Sequence, residues 1–348
     1  MGREARAGLF IITSASRHNL RRRNPPCPGR REVLSLLFKH TTGEVRRLFE
    51  FPDMLSGQGV GMETREAQFR GSWYPYGAAA CEKQIKEFVA GWKPDVLENT
   101  RNVGGIVPHA GWAFSGKIAA RVIASLQADP MPDVIAVFGM HLSARHPNFI
   151  MTQGAWDTPF GPIEIASDVA SRLAQGFSFQ VETARASVPD NTIELQLPFI
   201  KYFFPKARLV PIGASPAPRT LAIGEALVDV AAHLGYPLAV IGSTDLTHYG
   251  PNYGFSPMGA GERAVAWVKT ENDASVIQRM LALDPQGVLD EAQSHQNACC
   301  SGAAATAITA ARRLGASTAR VVAYSTSHDI SPASSFVGYA GIVFGAAL

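Results

Sequence analysis

The sequence predicts an α/β fold: a single domain whose central sheet, largely parallel or mixed, is flanked by helices. Three observations point there. Continuous apolar runs (Gly105 to Val107, Asp133 to Gly139, Pro237 to Gly242) have the unbroken hydrophobicity of strands buried on both faces. Segments with apolar residues at helical spacing separate them, for example Ile118, Ala119, Val122, Ile123 and Leu126. The two patterns alternate from about residue 62 to the end of the 348-residue chain, without a repeat or a linker.

Taken in order, Arg65 to Pro75 reads as an extended segment that packs its aromatics on the body. Ala79, Ile85, Phe88, Val89 and Trp92 mark a helix from Ala78 to Trp92, with Cys81 in a packing role. A strand ending at Val107, a Pro108-His109 turn and a helix from Lys117 to Leu126 follow. The next strand ends at Gly139-Met140-His141. Short strands are expected at Phe149 to Met151 and between Trp156 and Ile165, then a helix from Ser167 to Leu173. Asp190 is a helix N-cap candidate, and Glu194 lies on the helix it opens. A strand at Arg208 to Ile212, a helix at Leu221 to Leu234 and the strand at 237–242 lead into Ser243-Thr244-Asp245-Leu246-Thr247-His248-Tyr249-Gly250. Helices near 261–270 and 275–283 precede Asn297-Ala298-Cys299-Cys300-Ser301-Gly302 and an alanine-rich helix to Leu314. Strands at Ala319 to Tyr324 and Val337 to Phe344 flank a polar loop, Ser325 to Asp329.

Composition narrows the function classes. Apolar content of 46% supports a sizeable core. No run approaches the roughly 18 apolar residues of a membrane-spanning helix. Residues 1–61 carry 11 Lys+Arg against 5 Asp+Glu, and the remainder 21 against 24, so the body is mildly acidic and lacks a nucleic-acid footprint. Four cysteines without a CxxC pair suit neither a disulfide scaffold nor a zinc ribbon, and the default is a reducing cytoplasm. The basic, turn-rich residues 1–61 are expected to be a poorly ordered extension, with Met62 as an alternative start.

The candidate site follows from where polar residues interrupt the apolar runs. In open α/β sheets, ligands bind beyond the carboxyl ends of the strands. His109, His141 and the Asp245/His248 pair all fall there. An aspartate accepting from one ring nitrogen of His248 would fix its tautomer and raise the basicity of the other, as a general base needs. Cys299 and Cys300 fall at a helix start, where the partial positive charge favours thiolate, a better nucleophile and metal ligand.

Arg65-Glu66-Ala67 with Gly71-Ser72-Trp73-Tyr74-Pro75, then Pro108-His109-Ala110-Gly111-Trp112, then Ser243 to Tyr249, then Asn297 to Gly302, together resemble the Memo family. Its bacterial and archaeal members are labelled AmmeMemoRadiSam system protein B. The resemblance covers about residues 63 to 345 and leaves 1–61 unmatched. It implies a fold similar to class III extradiol dioxygenases, in which two histidines and a glutamate bind non-haem iron(II). In Memo proteins, two histidines and a cysteine hold the corresponding place. Carried over by motif, these are His109, His141 and Cys300, with Cys299 ranked behind Cys300. His248 matches the acid/base histidine, Asp245 is its neighbour, and Glu194 lines the pocket. Two departures stand out. Gly139-Met140-His141-Leu142 replaces the family's Gly-Pro-Ser-His-His, and Asn191 replaces a histidine before Thr192-Ile193-Glu194.

The resemblance implies iron(II) or copper, with zinc as a further fit to two imidazoles and a thiolate. Three protein ligands leave positions open for a small substrate or dioxygen. The expected function is metal-dependent redox or dioxygenase-like chemistry on a small molecule. The alternatives are a non-catalytic protein that holds a ligand or peptide in the same cleft, and zinc-assisted hydrolysis. The family label suggests a pathway shared with a radical enzyme, but the chain lacks the Cx₃Cx₂C cluster motif itself.

Overall fold

A computed structural model describes residues 62–94 and 99–348. The extension expected over residues 1–61 lies outside the described residues, and with it the alternative start. The described chain opens with β1 (Thr64–Arg65), α1 (Ala78–Val89), β2 (Thr100–Val107) and α2 (Lys117–Ala124). Then come β3 (Val134–Gly139), β4 (Asn148–Met151), β5 (Ala155–Trp156), β6 (Ile163–Glu164), α3 (Ser167–Gly176) and β7 (Phe179–Glu182). After a single helical turn at Asn191–Glu194 follow α4 (Leu197–Phe203), β8 (Arg208–Gly213), α5 (Pro218–His233), β9 (Leu238–Ser243) and β10 (His248–Tyr249). The last part holds α6 (Asp273–Leu281), α7 (Pro285–His295), α8 (Ser301–Arg313), β11 (Ala316–Thr326) and β12 (Phe336–Ala347).

The large sheet is mixed, in the order β10-β12-β2-β9-β3-β8-β4-β7, with β11 also on β12. Its centre, β2-β9-β3-β8, is parallel. β12 runs antiparallel to β2, β10 and β11, and β4 antiparallel to β8. The predicted apolar runs are thus the three adjacent central strands. Val107 lies opposite Ser243, and Phe138 opposite Gly242, so their carboxyl ends share one edge. A separate small sheet joins β1, β5 and β6.

Helices cover both faces. A Cβ on Gly105 would meet Val122 of α2, whereas the next residue, Ile106, points the other way to Gly242. A Cβ on Gly242 would in turn meet Ala307 of α8 at 2.9 Å. Helix α8 is buried from Ser301 to Ala311. A helix apolar on all sides belongs inside a protein, and its small alanines let it lie close against β9. Among the described residues, no helix is long and apolar enough to cross a membrane.

Some elements depart from the sequence expectation. Helix α7 went unread although Asp284 caps it, accepting from Gly287 N at 2.9 Å, and Pro285 opens it. β7 was also missed. The loop Ser325 to Asp329 is partly a helical turn, Ser327–Ile330, closed by a capping box between Thr326 and Asp329.

Candidate metal centre

The three central strand ends converge with the start of α8. His109 follows β2, His141 follows β3, and Asp245 follows β9. Residue Met140, just before His141, has φ +71°, a region that a residue with a Cβ rarely adopts. Its amide donates to Thr192 Oγ1 at 2.7 Å, which holds the turn in place. Against these ends stands the entry to α8. Cys300 N donates to Thr244 Oγ1 at 3.0 Å, and Cys299 N to Asp245 O at 3.2 Å.

This packing gathers His109, His141, Cys299 and Cys300, whose ligand atoms all lie within 4.8 Å of one another. Cys299 Sγ is 3.3 Å from His109 Nε2 and 3.8 Å from Cys300 Sγ. The two imidazole rings meet edge to face, centroids 4.9 Å apart. The thiol in contact with His109 is therefore Cys299, the cysteine ranked second from the sequence, and Cys300 sits behind it, also within the cluster.

Hydrogen bonds set the orientation of His109. Its Nδ1 is 3.1 Å from Ser243 Oγ, which donates its own proton to Thr192 O at 2.7 Å. Ser243 therefore accepts from Nδ1–H, and Nε2 is left facing Cys299. The His109 main chain is held at both ends: its N–H donates to Asp245 Oδ1 at 2.7 Å, and its carbonyl accepts from Asn191 Nδ2 at 2.9 Å. Asn191, read from the sequence as a departure from the family's pattern, thus fixes the backbone of a cluster histidine.

The electrostatics favour a thiolate between imidazoles. Burial opposes ionisation of Cys299, but the Cys300 thiol and the His109 and His141 rings hold it well below the usual thiol range. Cys300 moves the other way, raised by burial and by its neighbour. Burial depresses His109, yet Asp245 and Cys299 outweigh it and leave it raised. His141 is pushed up to about 10 by Asp190 and Cys299. Asp190 Oδ2 is 3.8 Å from His141 Nδ1, while Asp190 Oδ1 caps the turn at Thr192 N. Asp190 was legible only as an N-cap; its second role was not.

The other expected site residues divide. Asp245 is buried, and burial raises its pKa. Its hydrogen bond goes to the His109 main chain, and its other oxygen lies 3.9 Å from His109 Nε2. The expected Asp245–His248 pairing is replaced by this anchoring of His109. His248 Nε2 is buried without a hydrogen-bond partner, and its ring lies 4.9 Å from that of Tyr253. Glu194 is turned to another task. It accepts from Gln68 N at 2.8 Å, Phe69 N at 2.7 Å and Tyr74 Oη at 3.0 Å, pinning the 68–74 segment. Burial leaves its pKa raised.

Above the cluster opens a cavity of about 520 Å³. His109, His141, Asn191, Asp245 and His248 lie on its walls with Trp73, Phe114, Tyr253 and Tyr339; among the described residues, no lysine or arginine lines it. Trp73 reaches it because Trp73 O accepts from Trp112 N at 2.9 Å, tying the extended segment to the turn after His109.

The cluster's donors are two imidazoles and two thiols, a set that fits a soft or borderline transition-metal ion. Comparison with known proteins shows the family. The pattern of the Memo-like protein family matches residues 65–343. A MEMO1 family protein of Thermococcus onnurineus is 33% identical over 283 residues, 79% of this chain and 97% of that relative. Another, from Methanopyrus kandleri, is 33% identical over 292 residues, 80% of this chain and 98% of that one. Among solved structures, an uncharacterized Escherichia coli K12 protein aligns with a TM-score of 0.46 and 11% identity, over 70% of this chain and 99% of that one. By the family pattern and these relatives, the chain belongs to the Memo family.

Proposed function

We propose that this Memo-family protein binds a redox-active metal ion, iron(II) or copper, and carries out dioxygenase-like redox chemistry on a small molecule. Zinc is the third ion that the donor set suits. The observation that carries this reading is the meeting of His109, His141, Cys299 and Cys300, with the two histidines also on the wall of a cavity. A bound ion would supply Lewis-acid and redox chemistry there. His109 and His141 would hold it with the cysteines, and Asp190 and Ser243 would orient the rings from behind.

The remaining roles fall to the cavity wall. His248 lies on the cavity wall, and to it falls proton transfer with a ligand there. Trp73, Phe114 and Tyr253 offer aromatic faces for a bound molecule to pack against. Trp73, Phe114, Tyr253 and Tyr339 give much of the wall an aromatic, apolar character, so the cavity favours a small substrate with an apolar body. A reducing, cytoplasmic setting would keep the two thiols free.

The test is metal analysis of the purified protein after loading with iron(II), copper and zinc, with His109→Ala as the comparison. About one bound ion in the wild type and loss in the variant support the reading. A wild type that stays metal-free under all three loadings overturns it. A second reading, a non-catalytic ligand-binding protein, is favoured by the exposed aromatic rim of Trp73, Phe114 and Tyr253. It gains if His109→Ala loses metal but keeps ligand affinity.

A further inference from the structure

The turn at residues 190–192 braces both cluster histidines, one residue at a time. Asp190 Oδ2 stands 3.8 Å from His141 Nδ1, Asn191 Nδ2 donates to His109 O at 2.9 Å, and Thr192 Oγ1 accepts from Met140 N at 2.7 Å. Of the three, Asn191 is the one that also lies on the cavity wall. Its bond to His109 decides which way the amide faces. A carbonyl oxygen can only accept, so the group set against it must be the NH₂. The Oδ1 atom therefore points away from the His109 main chain. Among the described residues it has no hydrogen-bond partner. It also differs from the orphaned oxygens of Asn102, Gln196 and Asn297, which are sealed from solvent. Asn191 is half-buried, and its open side is the cavity. The backbone beneath it is held as well, because Asp190 Oδ1 caps the turn at Thr192 N. Oδ1 is thus an acceptor held in place on the wall with nothing to accept.

We propose that Asn191 Oδ1 determines specificity in the cavity, and that the bound molecule joins an apolar body to a hydrogen-bond donor, a hydroxyl or an amine, directed at this oxygen. The proposal rests on the reading that the cavity holds a small substrate. Pockets of this kind are mostly apolar, with a few placed polar groups that set the orientation of the ligand. Asn191 is such a group, and its side chain is already ordered by His109 O, so a donor that meets it adds little ordering cost. A molecule with a methyl group in place of the donor would strip water from Oδ1 and leave it unmet, which is how a polar site rejects an isostere. An amide does not titrate, so the acceptor persists across the pH range in which an imidazole changes charge.

Full-length wild type, Asn191→Ala and Asn191→Asp are compared, with the metal content of each measured. The probes are phenol, aniline and toluene, rings of nearly equal size that carry OH, NH₂ or CH₃. Dissociation constants are read by ligand-observed NMR titration. Both variants lose the brace on His109 O, but only Asn191→Asp keeps an oxygen acceptor. The preference for phenol or aniline over toluene should fall about fivefold from wild type to Asn191→Ala, the contribution of one hydrogen bond. It should hold in Asn191→Asp. The larger loss, for phenol or for aniline, assigns the donor to a hydroxyl or to an amine. A wild-type crystal soaked in phenol should place the hydroxyl within about 3 Å of Asn191 Oδ1, and needs no variant to fold. Equal preference in wild type and Asn191→Ala, or a fall as large in Asn191→Asp, overturns the acceptor role and leaves the cavity reading standing. Wild type that binds none of the three probes overturns both.

Discussion

Cys299 Sγ lies 3.3 Å from His109 Nε2, although 190 positions separate the two residues in the chain. The contact depends on two approaches. His109 is fixed from the sheet side by Asp245, Ser243 and Asn191. Cys299 is fixed from the helix side by the seating of α8 on the loop after β8, where Gly302 allows the backbones to touch. The candidate metal centre is thus as good as the fit between a helix start and a strand end.

That fit can be perturbed without touching a ligand. Gly302→Ala places a methyl against Ala214, Ser215 and Pro216, main-chain atoms that cannot swing aside. Overpacking of this kind costs about 1–3 kcal/mol. The start of α8 should move away from the loop and carry both thiols with it. The expected outcome is a modest fall in melting temperature and a much larger loss of metal affinity, measured by thermal unfolding and metal titration. Unchanged affinity would show that the thiols are positioned by something else.

Glu194 leads to a prediction of opposite character. Its carboxylate holds Gln68 N, Phe69 N and Tyr74 Oη, and through them the segment that brings Ser72 and Trp73 to the cavity. Glu194→Gln keeps the shape but replaces one acceptor oxygen by a donor facing main-chain N–H groups. Leaving a buried donor unmet costs about 1–3 kcal/mol. Limited proteolysis within residues 68–76 should speed up and ligand binding in the cavity should weaken, with metal content unchanged. Loss of metal in this variant would instead place Glu194 within the metal centre.

How much of this could be read from the sequence depends on how local each determinant is. His109, His141 and the Asp245/His248 segment stand out because each interrupts an apolar run, and the end of a run marks the end of a strand. The mixed α/β fold follows from the same runs. Which of two adjacent cysteines meets His109 is not local. Neighbouring residues at a helix start point in different directions, and long-range contacts hold this one: Cys299 N on Asp245 O, Cys300 N on Thr244 Oγ1, and Gly302 against a loop some 90 residues away. Glu194 is similar: its partners Gln68, Phe69 and Tyr74 lie more than 100 residues upstream. Asp190 reads as a cap because capping spans two residues; its approach to His141 requires the sheet to be folded.

The small sheet depends on a buried ion pair. Arg65 Nη1 meets Glu182 Oε2 at 2.8 Å, with side chains 4% and 9% exposed. Arg65 also donates to Val188 O at 2.7 Å and lies 3.7 Å from the centroid of the Trp156 ring. Removing one partner of a buried pair costs about 3–5 kcal/mol because the other charge is left in a low-dielectric site. Arg65→Met should lower stability by that order in urea unfolding. Arg65→Met with Glu182→Leu should recover a large part of it. A single variant as stable as the wild type would mean that Glu182 finds water or another partner.

Asp273 gives the fold a pH dependence apart from the metal centre. Its carboxylate accepts from Thr247 N at 3.0 Å and Tyr324 Oη at 2.7 Å, beneath the turn that carries His248. Burial nevertheless pushes its pKa up to about 6, against the pull of those hydrogen bonds and of His248. In the unfolded chain an aspartate titrates near 3.9. Between roughly pH 4 and 6 the folded state therefore holds a proton that the unfolded state has lost. Stability falls as pH rises through that window and is flat above it, by about 3 kcal/mol in full. Asp273→Asn can still accept from Thr247 through its oxygen and donate to Tyr324 through its amide, but it carries no titrating proton. Urea unfolding of both proteins at pH 4.5 and pH 7 isolates this residue, because other groups titrate alike in the pair. The variant should gain about 2 kcal/mol on the wild type between the two pH values, and a constant difference would place the Asp273 pKa near its ordinary value.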